Sequence, residues 1–445
     1  MERETWGSKT GFWLAAAGSA IGLGNIWRFP YLTGANGGAA FVLIYLLIVF
    51  TIGVSVMLAE FVIGRSTKLN PVGAFQKLKG GAWPIVGWLG VASGFIILSF
   101  YSVIGGWTIK YVISSFTGLI NPSTDATSYF LGFIGNGPQT VLFHAIFMAI
   151  TIYVVYRGVG KGIEDWCKIL MPALFLILLL LIVRAVTLPG AGAGISFYLN
   201  PDFSKITSKT LLAALGQAFF SLSLGMGAMI TYGSYLGSKK ASLPQSAATV
   251  TLLDTLVAIL AGFVIFPAVF AFGVEPGAGP GLTFITLPKV FALMPAGTVW
   301  SGLFFVLLLV AAITSAISLL EVVVAYMIDN VKWARHKAAL VIGGAIFLLG
   351  IPSALSQGAV PINIAGLPFL DAMSLLSDIM LPLGGMLIAL FVGWLIVDVA
   401  KKETTSEGAF KLEPVWIWIL RVVAPIVIFI ILVNAVRALI SSIGL

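Results

Sequence analysis

Long apolar runs alternate with short polar loops along the whole chain, and each run is near the ~20 residues that a bilayer-crossing helix needs. Eleven such spans can be drawn: 10–36, 39–64, 84–118, 139–156, 164–187, 209–237, 243–273, 297–329, 337–353, 371–397 and 414–441. Several exceed one perpendicular helix, which predicts tilt or irregular backbone. In two of them polar residues and glycine interrupt the apolar pattern. Span 1 contains AAAGSAIGLGNIWRFP (residues 15–30), and span 6 contains GQAFFSLSLGMGAMITYGSY (residues 216–235). The two spans open two halves of five spans each that begin on opposite sides of the membrane. The pattern therefore predicts an all-α polytopic membrane protein built as an inverted repeat. Repeat one covers about 10–187, repeat two about 209–397, and a further helix about 414–441, all in one transmembrane domain. Paired interrupted helices of this kind place a binding site near the midplane.

Unwinding a helix in hydrocarbon strands backbone N–H and C=O groups, each costing a few kcal/mol unless something polar meets them. Freed carbonyls suit a cation, and a fresh helix N-terminus suits a carboxylate. Close helix packing through small residues is the competing reading of Gly18 and Gly22 taken alone; the matching break in span 6 weighs against it. Three acids also lie within apolar stretches: Glu60, Asp254 and Glu321. Asp254, in TLLDTLVAIL, is a natural cation ligand, with a protonated, structurally paired aspartate as the alternative. On span 8, Thr314 and Ser315 present hydroxyls mid-membrane and Ala311 adds a carbonyl. Oxygen ligands favour a hard cation; sodium fits, and potassium or a proton stays open.

Composition agrees with a membrane protein. The chain of 445 residues is 59% hydrophobic and 9% charged, against about a quarter charged in soluble proteins. The surplus of base, 25 Lys and Arg over 17 Asp and Glu, collects in loops on one face, so it reads as a topology signal and not as a nucleic-acid surface. That puts the N-terminus in the cytoplasm and, with eleven spans, the C-terminus outside. The other face carries the longer loops 119–138, 188–208 and 274–296. A single cysteine, Cys167, excludes an internal disulfide; two distant histidines, His144 and His336, argue against a zinc site. The polar start MERETWGSKT lacks the apolar stretch of a signal peptide. The segment 401–414 reads as a solvated cytoplasmic connection.

These motifs resemble the neurotransmitter:sodium symporter family, whose fold is named after the bacterial leucine transporter (LeuT fold). The resemblance spans nearly the whole chain. It rests on Trp6 and Phe12, GSAIGLGNIWRFPYL with the NGG at 36–38, EFVIGR, the Tyr101 region, the span 6 break and AAITSAISLLE. The eleven spans resemble bacterial members, not the twelve-span animal ones. It implies one sodium site from the Ala20 carbonyl, Asn25, Ser221, Asp254 and the substrate carboxylate. A second would use the carbonyls of Gly18, Ile21 and Ala311 with the hydroxyls of Thr314 and Ser315. In animal members an asparagine replaces Asp254 beside a chloride, so a fixed carboxylate here implies no chloride. The substrate carboxylate would meet the Leu23 and Gly24 N–H groups and the Tyr101 hydroxyl. Ser19 stands where monoamine members carry an aspartate, which implies an amino-acid substrate. Its side chain would sit among Ile97, Phe220, Ser223, Met226 and Leu319, with Ser19, Ala20, Ser221 and Ser315 around it. That setting suits large aliphatic or aromatic amino acids.

The resemblance also implies gates. Arg3 and Asp329, with Tyr235 beside them, would close the cytoplasmic mouth. Arg28 would close the outer one with an acid on span 10. The family's acid falls at Ser374, so Asp371 or Asp378 must serve, and Asp371, nearer the outside, is the expected partner. The expected function is sodium-coupled amino-acid symport by alternating access in the cell membrane, with two sodium ions and no obligatory protein partner. Proton coupling through Asp254 is the main rival, followed by a non-transporting amino-acid sensor. A channel would need a continuous polar stripe, which spans 2, 7 and 9 lack. An enzyme would need a nucleophile–base pair, and the serine-rich breaks have no histidine partner.

Overall fold

The computed structural model describes residues 4–237, 241–273 and 281–442. Among them, nine helices are long and apolar enough to cross a membrane. They match spans 2–5 and 7–11: Ala39–Thr67, Pro84–Phe116, Gly137–Tyr156, Val159–Val186, Leu243–Ala271, Gly297–Asp329, Arg335–Leu355, Phe369–Leu395 and Glu413–Asn434. Spans 1 and 6 fall below that length because each is split. Span 1 runs as Lys9–Ala20, a kinked break, and then Gly24–Arg28 continuing into Phe29–Ala35; span 6 runs as Ser208–Ser221 and Ala228–Ser234.

Helix starts follow from local chemistry. Asn136 caps span 4 ahead of Pro138, and Ser242 caps span 7 ahead of Pro244; each side chain accepts a backbone N–H that the first turn leaves orphaned. Thr207 and Thr210 form a reciprocal capping box at the start of span 6. Spans 3 and 8 pack along each other through the centre, and the halves of span 6 lie between spans 2, 8 and 10.

The loops hold short helices at Pro71–Leu78, Ala126–Ile134, Ala191–Leu199 and Leu287–Ala292. A two-residue hairpin pairs Asn363–Ile364 with Leu367–Pro368. Its turn places Ala365 and Gly366 at positive φ, as a tight antiparallel turn requires.

The segment after span 10 is mostly exposed, as expected of a solvated connection, but its start is anchored to the bundle. Val397–Thr405 is helical and docks on span 2. Arg65, buried at the end of span 2, donates to Glu403 at 2.6 Å, to the Ala241 carbonyl at 2.8 Å and to Ser406 at 2.8 Å. A buried guanidinium demands that many acceptors, and the loops on either side of it supply them.

Candidate substrate and ion site

The break in span 1 begins at Ile21, whose backbone turns extended (φ −72°, ψ 104°). Helical bonding therefore lapses over Gly18–Gly24, and span 8 meets the freed carbonyls. Ser315 donates toward Ser19 O at 3.0 Å and Ile21 O at 3.2 Å, with Gly18 O at 3.5 Å. Thr314 lies 3.1 Å from Ala311 O and 3.5 Å from Ile21 O. The structure thus gathers all five residues expected for the second sodium site, Gly18, Ile21, Ala311, Thr314 and Ser315, into one cluster of oxygens.

Three residues expected for the first sodium site meet on the other side of the break. Asn25 Nδ2 donates to Asp254 Oδ1 at 2.8 Å, and Ser221 Oγ donates to Asp254 Oδ2 at 2.9 Å. Asn25 Oδ1 accepts from Gly22 N at 3.0 Å, so one side chain spans the break and the carboxylate. Tyr45 donates to Ser221 at 3.4 Å. Asn25, Ser221 and Asp254 are all buried. Ala20, the fourth, lines the neighbouring cavity.

Span 6 breaks where Ser223, Gly225 and Gly227 take positive φ. A side chain at Gly225 would run into the Leu381 carbonyl of span 10, so glycine is required both for the turn and for that close approach. Glu60 accepts from Gly225 N at 2.7 Å, which explains a carboxylate at the end of an apolar span. The breaks are tied together by Ser223 Oγ donating to Ser19 O at 2.9 Å and Gln217 Nε2 to Gly24 O at 2.8 Å.

Between the breaks is a small cavity. Ile97, Phe220, Met226 and Leu319 form its apolar side, and Ser19, Ala20, Ser223 and Ser315 its polar side. Tyr101 and Gly24 also line it, together with Gly22, which was not among the expected residues. Leu23 N already donates to the Tyr101 hydroxyl at 3.1 Å. Ser19 donates to Ser318 at 2.7 Å.

Above the cavity is a wider vestibule that shares Tyr101 and Phe220 with it. Here the structure corrects the expected outer gate. Arg28 pairs with Asp378, not Asp371, through two contacts of 3.0 and 3.2 Å. The reason is depth. The guanidinium lies over the Phe220 ring at 5.0 Å, level with the cavity roof, whereas Asp371, seven residues earlier on span 10, is about 10 Å further out along the helix and only lines the vestibule. Both side chains of the pair are partly exposed, at 19% and 32%, which makes the contact weak enough to open. Asp378→Asn should lower substrate uptake about fivefold, with Asp371→Asn within twofold of wild type; initial uptake rates in vesicles check this.

At the other end, Arg3 lies outside the described residues. Asp329 accepts from Asn70 N at 2.8 Å and from its Nδ2 at 3.1 Å. Tyr235 donates to Glu321 at 2.5 Å. Glu321 also takes both Nη groups of Arg335 at 2.8 and 3.0 Å, and Arg335 Nε reaches Glu4 at 3.1 Å. Arg335 was therefore missed as a site residue; the signal was a buried acid fourteen residues before a basic cluster. Trp6 seals this end. It is 1% exposed, its indole donates to Tyr232 O at 2.9 Å, and its ring meets Tyr232 and Tyr235 edge-on at 5.2 and 6.0 Å.

Two interrupted helices that face each other around a buried, oxygen-lined cavity, with closures above and below, define a membrane transporter of the LeuT fold. The chain belongs to the sodium:neurotransmitter symporter family, which it matches over residues 3–129 and 134–443. It is 42% identical over 442 residues to the uncharacterized sodium-dependent transporter YhdH of Bacillus subtilis, covering 98% of each chain. Bovine (Bos taurus) sodium- and chloride-dependent GABA transporter 2 is 30% identical over 408 residues, 79% of this chain and 67% of that one. Among solved structures, MhsT in complex with L-phenylalanine superposes with a TM-score of 0.91 at 48% identity, over 98% of this chain and 100% of the other. This is a family of transporters, not of enzymes.

Proposed function

We propose that the chain is a sodium-coupled symporter of hydrophobic L-amino acids that works by alternating access without chloride. The observation that carries this is the buried Asn25–Ser221–Asp254 cluster against the span 1 break, next to a cavity with an apolar end. Ala20, Asn25, Ser221 and Asp254 would hold one sodium ion, and Gly18, Ile21, Ala311, Thr314 and Ser315 a second. The substrate carboxylate would bridge the first ion, the Leu23 and Gly24 N–H groups and the Tyr101 hydroxyl. Its side chain would rest against Ile97, Phe220, Met226 and Leu319. L-Phenylalanine on MhsT supports a large apolar side chain here. The Asp254 carboxylate supplies the negative charge that makes chloride unnecessary.

One sodium ion moving down a tenfold gradient and about 100 mV releases about 3.7 kcal/mol. That sustains about 500-fold accumulation of a neutral amino acid, and two ions square the ratio. The orientation follows the basic loops: eleven spans, with the N-terminus in the cytoplasm and the C-terminus outside.

The test is binding of radiolabelled leucine, phenylalanine and tryptophan to purified protein in chloride-free buffer, in sodium and in potassium. Saturable binding in sodium alone is the expected result. Equal binding in both salts would overturn sodium coupling and favour proton coupling through Asp254.

A further inference from the structure

Span 11 is strongly apolar over Glu413–Asn434, yet it holds an exposed arginine, Arg421, eight residues in. Its neighbours Trp418, Val422 and Ile426 are also exposed, so this is the lipid-facing side of the helix. A lipid-facing charge normally snorkels to the interface on its flexible stem. Arg421 is held instead. Its Nε donates to the Gly393 carbonyl at 2.6 Å, its guanidinium lies over the Trp394 ring at 5.3 Å, and the Trp394 indole donates back to Arg421 O at 3.3 Å.

The sequence explains why the two helices meet here. Both turn π-helical at this point, over Phe391–Leu395 and Ile419–Val423. A wide turn leaves carbonyls such as that of Gly393 open to other donors. Gly393 also permits the approach: a Cβ there would be 3.1 Å from the Arg421 backbone N.

One guanidinium edge is thus spent on the protein. Among the described residues, no hydrogen bond to Nη1 or Nη2 is formed, so a fork of donors faces outward. Trp394, at the end of span 10, sets its depth: Asp398, Lys401 and Lys402 follow within about two turns. That level is the border between hydrocarbon and headgroups, where the abundant anion is a phosphodiester. A planar guanidinium fork matches two phosphate oxygens, and exposed tryptophans at this level suit the headgroup region.

We propose that Arg421 and Trp394 form a binding site for the phosphate of an anionic glycerophospholipid, clamping spans 10 and 11 at the leaflet border. The site is separate from the transport cavity and does not depend on what is transported. The same chemistry would accept free phosphate, so the test must separate the two sources.

The full-length protein, purified in mild detergent, is titrated with phosphatidylglycerol, with phosphatidylcholine of the same acyl chains, and with inorganic phosphate. Lipid retention is read by native mass spectrometry and thermal stability by tryptophan fluorescence. Wild type should retain phosphatidylglycerol over phosphatidylcholine and melt higher with it. Arg421→Gln should lower that retention about fivefold, Arg421→Lys should fall between, and Lys402→Gln should match wild type. If Arg421→Gln does not fold, Trp394→Leu and Arg421→Lys carry the test, since each removes only the stacking or the fork. Equal phosphatidylglycerol retention by wild type and folded variants would overturn the site. A stabilisation by inorganic phosphate equal to that by phosphatidylglycerol would overturn the lipid assignment.

Discussion

Asp254→Asn should weaken sodium-dependent amino-acid binding by about 100-fold or more in chloride-free buffer, and added chloride should restore part of it. The carboxylate is buried, and its partners are an amide and a hydroxyl, Asn25 and Ser221. Neither carries charge, so none of the described contacts neutralises Asp254 in place of a cation. Asparagine keeps the shape and a hydrogen bond to Ser221 but removes the charge facing the ion. Removing one member of a desolvated charge pair costs about 2–5 kcal/mol. Chloride is the diagnostic addition, because an anion diffusing to the neighbourhood of Ser221 would replace the missing charge. Scintillation binding with sodium titrated at several chloride concentrations measures it. Unchanged sodium dependence in a monodisperse Asp254→Asn protein would remove Asp254 from the ion site.

Gly22→Ala should weaken binding about 100-fold with little loss of fold. A Cβ at Gly22 would lie 2.8 Å from the Tyr101 hydroxyl and nearer still to Ser315 Oγ. Both hydroxyls are committed, Tyr101 to Leu23 N and Ser315 to the span 1 carbonyls, and neither can withdraw without leaving a backbone group unmet. Overpacking of this kind costs about 1–3 kcal/mol. Here the cost falls on the cavity itself and on the second oxygen cluster together, so binding should drop about 100-fold. The rest of span 1 is anchored elsewhere, through Ser8 on Glu164, Trp6 on Tyr232 and Asn25 on Asp254, so the variant should elute and melt close to wild type. A variant that binds normally would show that the span 1 break moves aside to admit the substrate.

The architecture was largely legible in the chain because bilayer physics leaves few options: apolar length marks spans, and clustered glycine and serine mark where a span comes apart. Span limits agreed within a few residues almost everywhere, with span 11 continuing as helix to Ser442; the largest shift was at span 5, which begins at Val159 because a π-helical turn extends it. The candidate site was legible in its residue types, since oxygen-bearing residues at the breaks of spans 1 and 6, and facing them on spans 7 and 8, have few other uses there. Partner choice across distant elements was not. Asp371 and Asp378 are both on span 10 about two turns apart, and only tilt and the position of the Phe220 ring decide between them. Arg335 on Glu321 and Arg65 on Glu403 join residues whose approach depends on how loops fold back. Loop sequence carries no periodicity from which to infer that.

Trp6 carries a consequence for leakage. An aromatic side chain of its size buries about 200 Å², so drawing it into water costs about 5 kcal/mol at 25 cal/mol per Å². If inward opening requires that withdrawal, spontaneous opening of the empty protein is suppressed by about three to four orders of magnitude. Sodium would then seldom slip through without cargo, and the cell's ion gradient would be drained only by productive cycles. A bulky indole at this end would thus set how tightly the two fluxes are locked together, although it does not line the cavity.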